Sequence, residues 1–248
     1  MTDDLGKRMT DRMTHQERDQ SSPDSEPRDA ATIMLIDRAG PKPKVLLGRR
    51  HDAHKFMPGK FVFPGGRIEP HDRAMPAMSE LHPDTQKKLL ERVAAPSSDM
   101  ARGFALAAVR ELAEETGLLL GVKRDPPPVA PDAIWAEFTK AKVHPDLAHI
   151  HFIARAITPP KRPRRFDTRF FTADATAVAH TIEGIVGPES ELVELVWVPI
   201  EEATKLDMPT ITGVVLEELG ARVAAGMAHS LPVPFYFMVE QKFMRELL

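Results

Sequence analysis

Glu111, Glu114 and Glu115 fall at i, i+3 and i+4 within residues 101–117 (ARGFALAAVRELAEETG), a stretch whose apolar residues recur at helical spacing. At 3.6 residues per turn the three carboxylates share one face. Like charges so placed weaken a helix by roughly 0.2–0.5 kcal/mol per pair. A hard divalent cation reverses that sign, because it favours carboxylate oxygens and binds phosphates at the same time. Leu106, Val109 and Leu112, with the small Ala107, Ala108 and Ala113, form the opposite face and suit packing on a sheet; Gly117 stops the helix. The chain must therefore bury one side of this helix and leave the other acidic. Three glutamates alone describe a solvated face, so their context decides.

The bulk of the sequence narrows that context. Its 248 residues suffice for one large domain, and 42% hydrophobic with 28% charged residues is ordinary for a globular chain. A net charge of −3 argues against a general nucleic-acid binder. The absence of cysteine removes disulfides, zinc–thiolate sites and thiol nucleophiles together. No apolar run approaches the length of a membrane span. The first 29 residues lack the apolar block of a secretory signal, and the final Glu-Leu-Leu is not a peroxisomal address. The expectation is a cytoplasmic protein with a small-molecule substrate and neither nucleic acid nor membrane as partner; a homodimer is compatible with it.

Residues 1–28 are polar and aperiodic, which predicts a disordered N-terminal tail ahead of a single domain over 29–248. Strands are expected at 30–37, 44–50, 61–64, 147–157, 169–172 and 191–199, and helices at 84–94, 101–117 and 210–226. A last short helix is expected over 235–246. Strands interleaved with a few helices and no repeat predict an α/β or α+β fold with a mixed sheet.

Upstream of the acidic helix stands Phe61-Val62-Phe63-Pro64-Gly65-Gly66-Arg67-Ile68-Glu69, a strand ending in a double glycine that allows close backbone approach. Together the two segments resemble the Nudix box, G-x5-E-x7-R-E-U-x-E-E-x-G-U, where U is a bulky aliphatic residue. Gly66 begins it, and Arg110, Glu111, Leu112, Glu114, Glu115, Gly117 and Leu118 fill the second half without a miss. Two departures stand out. Asp72 occupies the place of the first glutamate, and 37 residues separate it from Arg110 where the pattern has 7, an insertion of 37 − 7 = 30. A long insertion after FPGG is similar to the branch containing the peroxisomal coenzyme A diphosphatases of animals. Residues 158–171 look like that branch too. Residues 46–66 (LLGRRHDAHKFMPGKFVFPGG) also approximate the motif of coenzyme A-cleaving members, with Lys55 where that motif has a second Arg.

The resemblance implies a Nudix-type α/β/α sandwich with a mixed central sheet and a helical insertion over 73–100. It implies Mg²⁺ or Mn²⁺ held by Glu111 and Glu115, with Glu114 direct or through water, and a carbonyl of Gly65 or Gly66 as a further ligand. Arg110 is expected to hold the box together through Asp72 or, alternatively, Glu69. A general base from outside the box is expected among Glu191, Glu189 and Glu194, in that order. Arg50 and Lys55 are candidate substrate contacts, as are Arg49, Lys161, Arg162, Arg164 and Arg165; His149 and His151 are given packing or hydrogen-bonding roles. The implied activity is hydrolysis of a diphosphate in coenzyme A or acyl-coenzyme A. The alternatives are an ADP-ribose or dinucleotide pyrophosphatase and a non-catalytic nucleotide sensor. Because the insertion lies between the two halves of the motif, it is expected to cap the site.

Overall fold

The computed structural model describes residues 2–53 and 57–248. Helix α1 (Thr2–His15) precedes strands β1 (Arg28–Asp37), β2 (Lys44–Arg50), β3 (Phe61–Val62) and β4 (Gly65–Arg67). Then come a 3-10 turn at Pro70–Ala74, α2 (Pro83–Leu90) and the long α3 (Ser98–Thr116). Short strands β5 (Leu118–Leu120), β6 (Val122–Lys123) and β7 (Val143–His144) surround a 3-10 turn at Ala133–Trp135 and α4 (Ala136–Ala141). Strands β8 (His151–Ile157), β9 (Phe166–Asp174), β10 (Val178–Thr181) and β11 (Leu192–Pro199) follow, then α5 (Ile200–Ala203), α6 (Thr210–Ala224), β12 (Pro234–Val239) and β13 (Lys242–Leu247).

Nine strands build the main sheet in the order β11-β2-β1-β9-β8-β12-β13, with β3 on β2 and β4 on β1. The sheet is mixed: β1 runs parallel to β9 and β12 parallel to β8, while the other pairs are antiparallel. Alternation along β1 splits the core in two. Ala31, Ile33 and Leu35 pack with Phe104, Val109 and Leu112 of α3. Met34 and Ile36 point the other way, to Val214, Val215 and Leu219 of α6. Helices thus cover both faces, the α/β sandwich expected from the sequence.

One edge of β1 is shared. Its end pairs with β2 (Ile36↔Val45), its start with β4 (Ala31↔Gly66), and between them Ile33 N–H donates to Pro64 O at 3.1 Å. The FPGG segment is therefore laid along the sheet edge by backbone bonds.

Three expectations fail. Where a disordered tail was expected, Thr2–His15 is helical, with Met9 and Met13 only 1% and 2% exposed against Tyr236 and α6. Leu5, Met9 and Met13, one turn apart, supply the stripe. The expected last helix over 235–246 is the β12–β13 hairpin, turned by Glu240 and Gln241 at φ 46° and 65°. The insertion does not cap the cleft described below: Met75, Leu81 and Leu89 are buried in the core beneath α3.

A stack of three imidazoles moors that insertion. His82, at the start of α2, lies on His229 with centroids 4.3 Å apart, and His229 lies on His151 of β8 at 3.9 Å. Thr85 bonds His229 Nδ1 at 2.9 Å, and Lys88 Nζ donates to the carbonyls of His229 and Leu231. Burial, followed by the neighbouring cations, holds His151 and His229 down to about 4. Both are thus neutral in the fold, while the unfolded chain takes up their protons below about 6.5. Stability from this stack is full above that value and is lost as pH falls toward the folded values. Calorimetry should show the melting temperature dropping across this window, and His151→Phe, which keeps a flat ring, should make the drop shallower; an unchanged slope would refute the assignment.

Candidate active site

The second half of the box folds as its pattern requires. Ser97 caps α3 through Met100 N–H, and Gly117 ends it at φ 78°, where a Cβ would meet Ile182 O at 2.3 Å. Arg110, 3% exposed, is the hub. Its Nε donates to Asp72 Oδ1 at 2.8 Å, and Nη2 to Asp72 Oδ2 at 3.2 Å and Arg67 O at 2.8 Å. Its Nη1 donates to Glu111 Oε1 at 2.8 Å and Glu114 Oε2 at 2.7 Å. All five guanidinium protons have acceptors. Burial alone would weaken Arg110's hold on its proton, but Asp72 and Glu111 outweigh it and raise the pKa. Asp72, wholly buried, also accepts from Glu69 N–H at 2.8 Å, because the 3-10 turn brings it back over the strand end. The shorter acid therefore serves, and Glu69 does not replace it.

The other two acids are placed against the glycine turn. A Cβ on Gly66 would stand 2.3 Å from Glu111 Oε1, so any larger residue there would push this carboxylate from its place beside Arg110. Burial, then repulsion from Glu114 and Asp72, raises Glu111 to about 7 against the pull of Arg110. Glu115 accepts from Gly65 N–H, while its Oε2 is buried with no hydrogen-bond partner. Burial, then Glu191 and Glu111, pushes Glu115 well above the carboxylate range, with Arg50 opposing. Glu191 joins this group from the loop before β11: its Oε1 lies 2.9 Å from Arg50 Nη1, and its carbonyl accepts from His51 N–H.

These acids line one end of a cleft of about 880 Å³. Its floor is the small-residue face of the sheet, Ala30, Thr32, Ala156 and Thr168. No sequence-family profile matches the chain. A Nudix hydrolase from Alicyclobacillus acidocaldarius is 30% identical, with a TM-score of 0.60; the alignment covers 84% of this chain and 97% of that one. The chain belongs to the Nudix hydrolase family. The Escherichia coli ORF135 protein (19% identity, TM-score 0.44, 82% and 96% coverage) and the Nudix domain of Shewanella oneidensis NrtR complexed with ADP-ribose (14%, 0.43, 80% and 90%) are more distant.

In this Nudix hydrolase Glu111, Glu114, Glu115, Gly65, Gly66, Arg50, Arg110 and Glu191 all border the one cleft. Lys55 lies outside the described residues. Of the alternative bases, Glu189 is exposed and does not line the cleft, and Glu194 is paired with Arg49 at 3.2 Å. Arg162 and Arg164 line it, whereas Arg165 is engaged by Asp24 and Thr158 O. Sequence reasoning missed the His71–Asp132 hydrogen-bonded pair at the rim, and Met13, Gln16, Arg18 and Phe243 at the far end. The one legible signal for the latter was the Leu5/Met9/Met13 spacing.

The donor set fits a hard divalent cation. Glu115 Oε2 is a buried carboxyl oxygen with no hydrogen-bond partner, and ionising it there is costly unless a cation answers it. Among the described residues no three acids or histidines stand preassembled around one point, since Glu111 and Glu114 are turned to Arg110.

Two stability effects follow. Asp72→Ala strands the buried Arg110 charge and should cost about 3–5 kcal/mol in urea unfolding; a loss below about 1 kcal/mol would show that Asp72 is not the anchor. Glu115→Gln removes a desolvated acid from between Glu111 and Glu191, so in EDTA this variant should melt above the parent chain. A lower melting temperature would contradict the reading of Glu115 as strained.

Proposed function

We propose that this Nudix hydrolase cleaves the diphosphate linkage of a nucleoside diphosphate derivative, with coenzyme A or an acyl-coenzyme A as substrate and Mg²⁺ or Mn²⁺ as cofactor. The observation that carries the reading is the gathering of Glu111, Glu115 and the Gly65-Gly66 turn at one end of a cleft large enough for a nucleotide. Glu111 and Glu115 would hold the cation, with Glu114 released from Arg110 as the third acid. A divalent cation there supplies charge neutralisation on the diphosphate and acidifies water near neutral pH.

The chain's own residues do the rest. Arg110 holds Glu111 beside the glycine turn and keeps Glu114 within reach of the same end of the cleft. Gly66 leaves the room that the Glu111 carboxylate fills, and Gly65 lets the turn lie close against Thr32 of β1, so the acids and the backbone turn meet at one place. Glu191, held by Arg50 at the cleft wall, takes the proton from the attacking water as the new oxygen–phosphorus bond forms; the diphosphate bridge breaks and its oxygen leaves with the departing phosphate. The preference for coenzyme A rests on the 46–66 motif, whose Arg50, Met57 and Val62 border the cleft. ADP-ribose remains the rival substrate within the same chemistry. The sensor reading is disfavoured by the presence of Glu111, Glu114 and Glu115 at the cleft, which binding alone does not require.

Coenzyme A, dephospho-coenzyme A, ADP-ribose and dinucleotides offered with Mg²⁺ should give, by mass spectrometry, adenosine bisphosphate and phosphopantetheine from the first. EDTA should abolish this and Mn²⁺ restore it. Glu115→Gln and Glu191→Gln should each lower kcat by about 10²-fold or more in a folded protein. Brisk cleavage of ADP-ribose with coenzyme A untouched would overturn the substrate. Full turnover by folded Glu115→Gln would overturn the site.

A further inference from the structure

The sequence sets the N-terminal segment outside the domain, yet its residues 13, 16 and 18 wall the cleft at the end away from the acids. Their position is fixed from several sides. Tyr236 O–H donates to Met9 Sδ at 3.1 Å, Arg12 pairs with Glu217 at 2.6 Å, and Thr14 Oγ1 accepts from Phe243 N–H at 2.9 Å. Arg18 folds back on the end of α1, donating to the carbonyls of Met13, Thr14 and Gln16, with its guanidinium 5.3 Å from the Phe243 ring centre. Across the opening, Arg162 Nη1 donates to Asp19 O at 2.9 Å, which ties the loop between β8 and β9 to the same segment. That is the only hydrogen bond Arg162 makes among the described residues.

Between these two walls Phe166, Phe170, Ile211 and Phe243 stand around the small-residue sheet floor. Polar side chains border it as well, among them Gln16, Arg18, Arg162, Arg164 and several threonines. We propose that this far end is a nucleobase pocket completed by the N-terminal segment, the base lying among the phenylalanines with Gln16 and Arg162 at its edge. The proposal rests on reading the cleft as the substrate site. A planar heterocycle uses both features, since its faces stack on aromatic side chains and its edge pairs with an amide that both donates and accepts and with a guanidinium. An aliphatic chain would strip water from Gln16 and Arg162 without replacing it. A second phosphate would leave the phenylalanines wet.

Gln16 is exposed and Arg162 half-buried, so Gln16→Ala and Arg162→Ala should fold, which thermal unfolding checks. Calorimetric titration of the full chain with AMP, ribose 5-phosphate and decyl phosphate reads the pocket without any turnover. The parent protein should bind AMP about tenfold or more tightly than ribose 5-phosphate, as stacking of one base predicts. Each variant should lose roughly 2- to 10-fold in AMP affinity, the worth of one hydrogen bond, with ribose 5-phosphate unaffected. In hydrolysis the same variants should raise KM while kcat holds. Equal binding of AMP and ribose 5-phosphate, or variants that bind AMP as the parent does, would overturn the pocket. Decyl phosphate binding more tightly than AMP would overturn it in favour of an aliphatic occupant. Hydrolysis without an AMP preference sinks only this pocket, and an AMP preference without hydrolysis sinks only the proposed reaction.

Discussion

One guanidinium organises the catalytic end of the molecule. Arg110 reaches the 3-10 turn through Asp72, β4 through Arg67 O, and its own helix through Glu111 and Glu114. Each of these links alone is weak evidence for stability, since a buried ion pair forfeits hydration on both sides. Five satisfied donors in a planar fork are different, because the geometry admits one arrangement and a lysine could not reproduce it. The pair also explains how a motif broken by dozens of residues still closes. The two halves meet through a side chain rather than through chain continuity.

That arrangement stabilises acids that otherwise disfavour the fold. Glu111 is raised by burial and then by Glu114 and Asp72, and Glu115 by burial and then by Glu191 and Glu111. Arg110 and Arg50 offset part of this repulsion from opposite sides. Backbone strain contributes little to the design: Gly65 and Gly66 matter for the room they leave, to Thr32 and Glu111 respectively, and neither has a positive φ. Local strain of this electrostatic kind belongs where chemistry needs charge in a dry place.

The acidic helix, the glycine turn and strands β1, β2, β3, β8, β9 and β11 were legible because their signals are local: helical spacing, a fixed motif, and runs of strand-forming residues. The terminal hairpin was not, because residues 235–246 mix aromatics with good helix formers and turn on Glu240-Gln241 rather than on the Asn-Gly or Asp-Gly pair that marks such a turn. Helix α1 was missed because its three apolar residues are too few to form a helix alone; Tyr236 and α6, distant in sequence, supply the partner surface. The insertion was misplaced by a topological inference. Nearness of its two ends to the acids says nothing about its middle, which follows Leu81 and Leu89 into the core under α3. Within the site, pattern matching found the acids, but the far wall is built by residues with no motif at all.

The clasp between Asp72 and Arg110 also makes the segment between them a loop closed at its base. Closing a loop costs entropy that grows only with the logarithm of its length, so lengthening it from 7 to 37 residues adds about 1.5 kcal/mol at most. The segment's own buried leucines and histidine stack readily offset that amount. Nothing in it borders the cleft beyond the turn at its start. The stretch is thus a buttress under the acidic helix rather than a part of the cleft's wall.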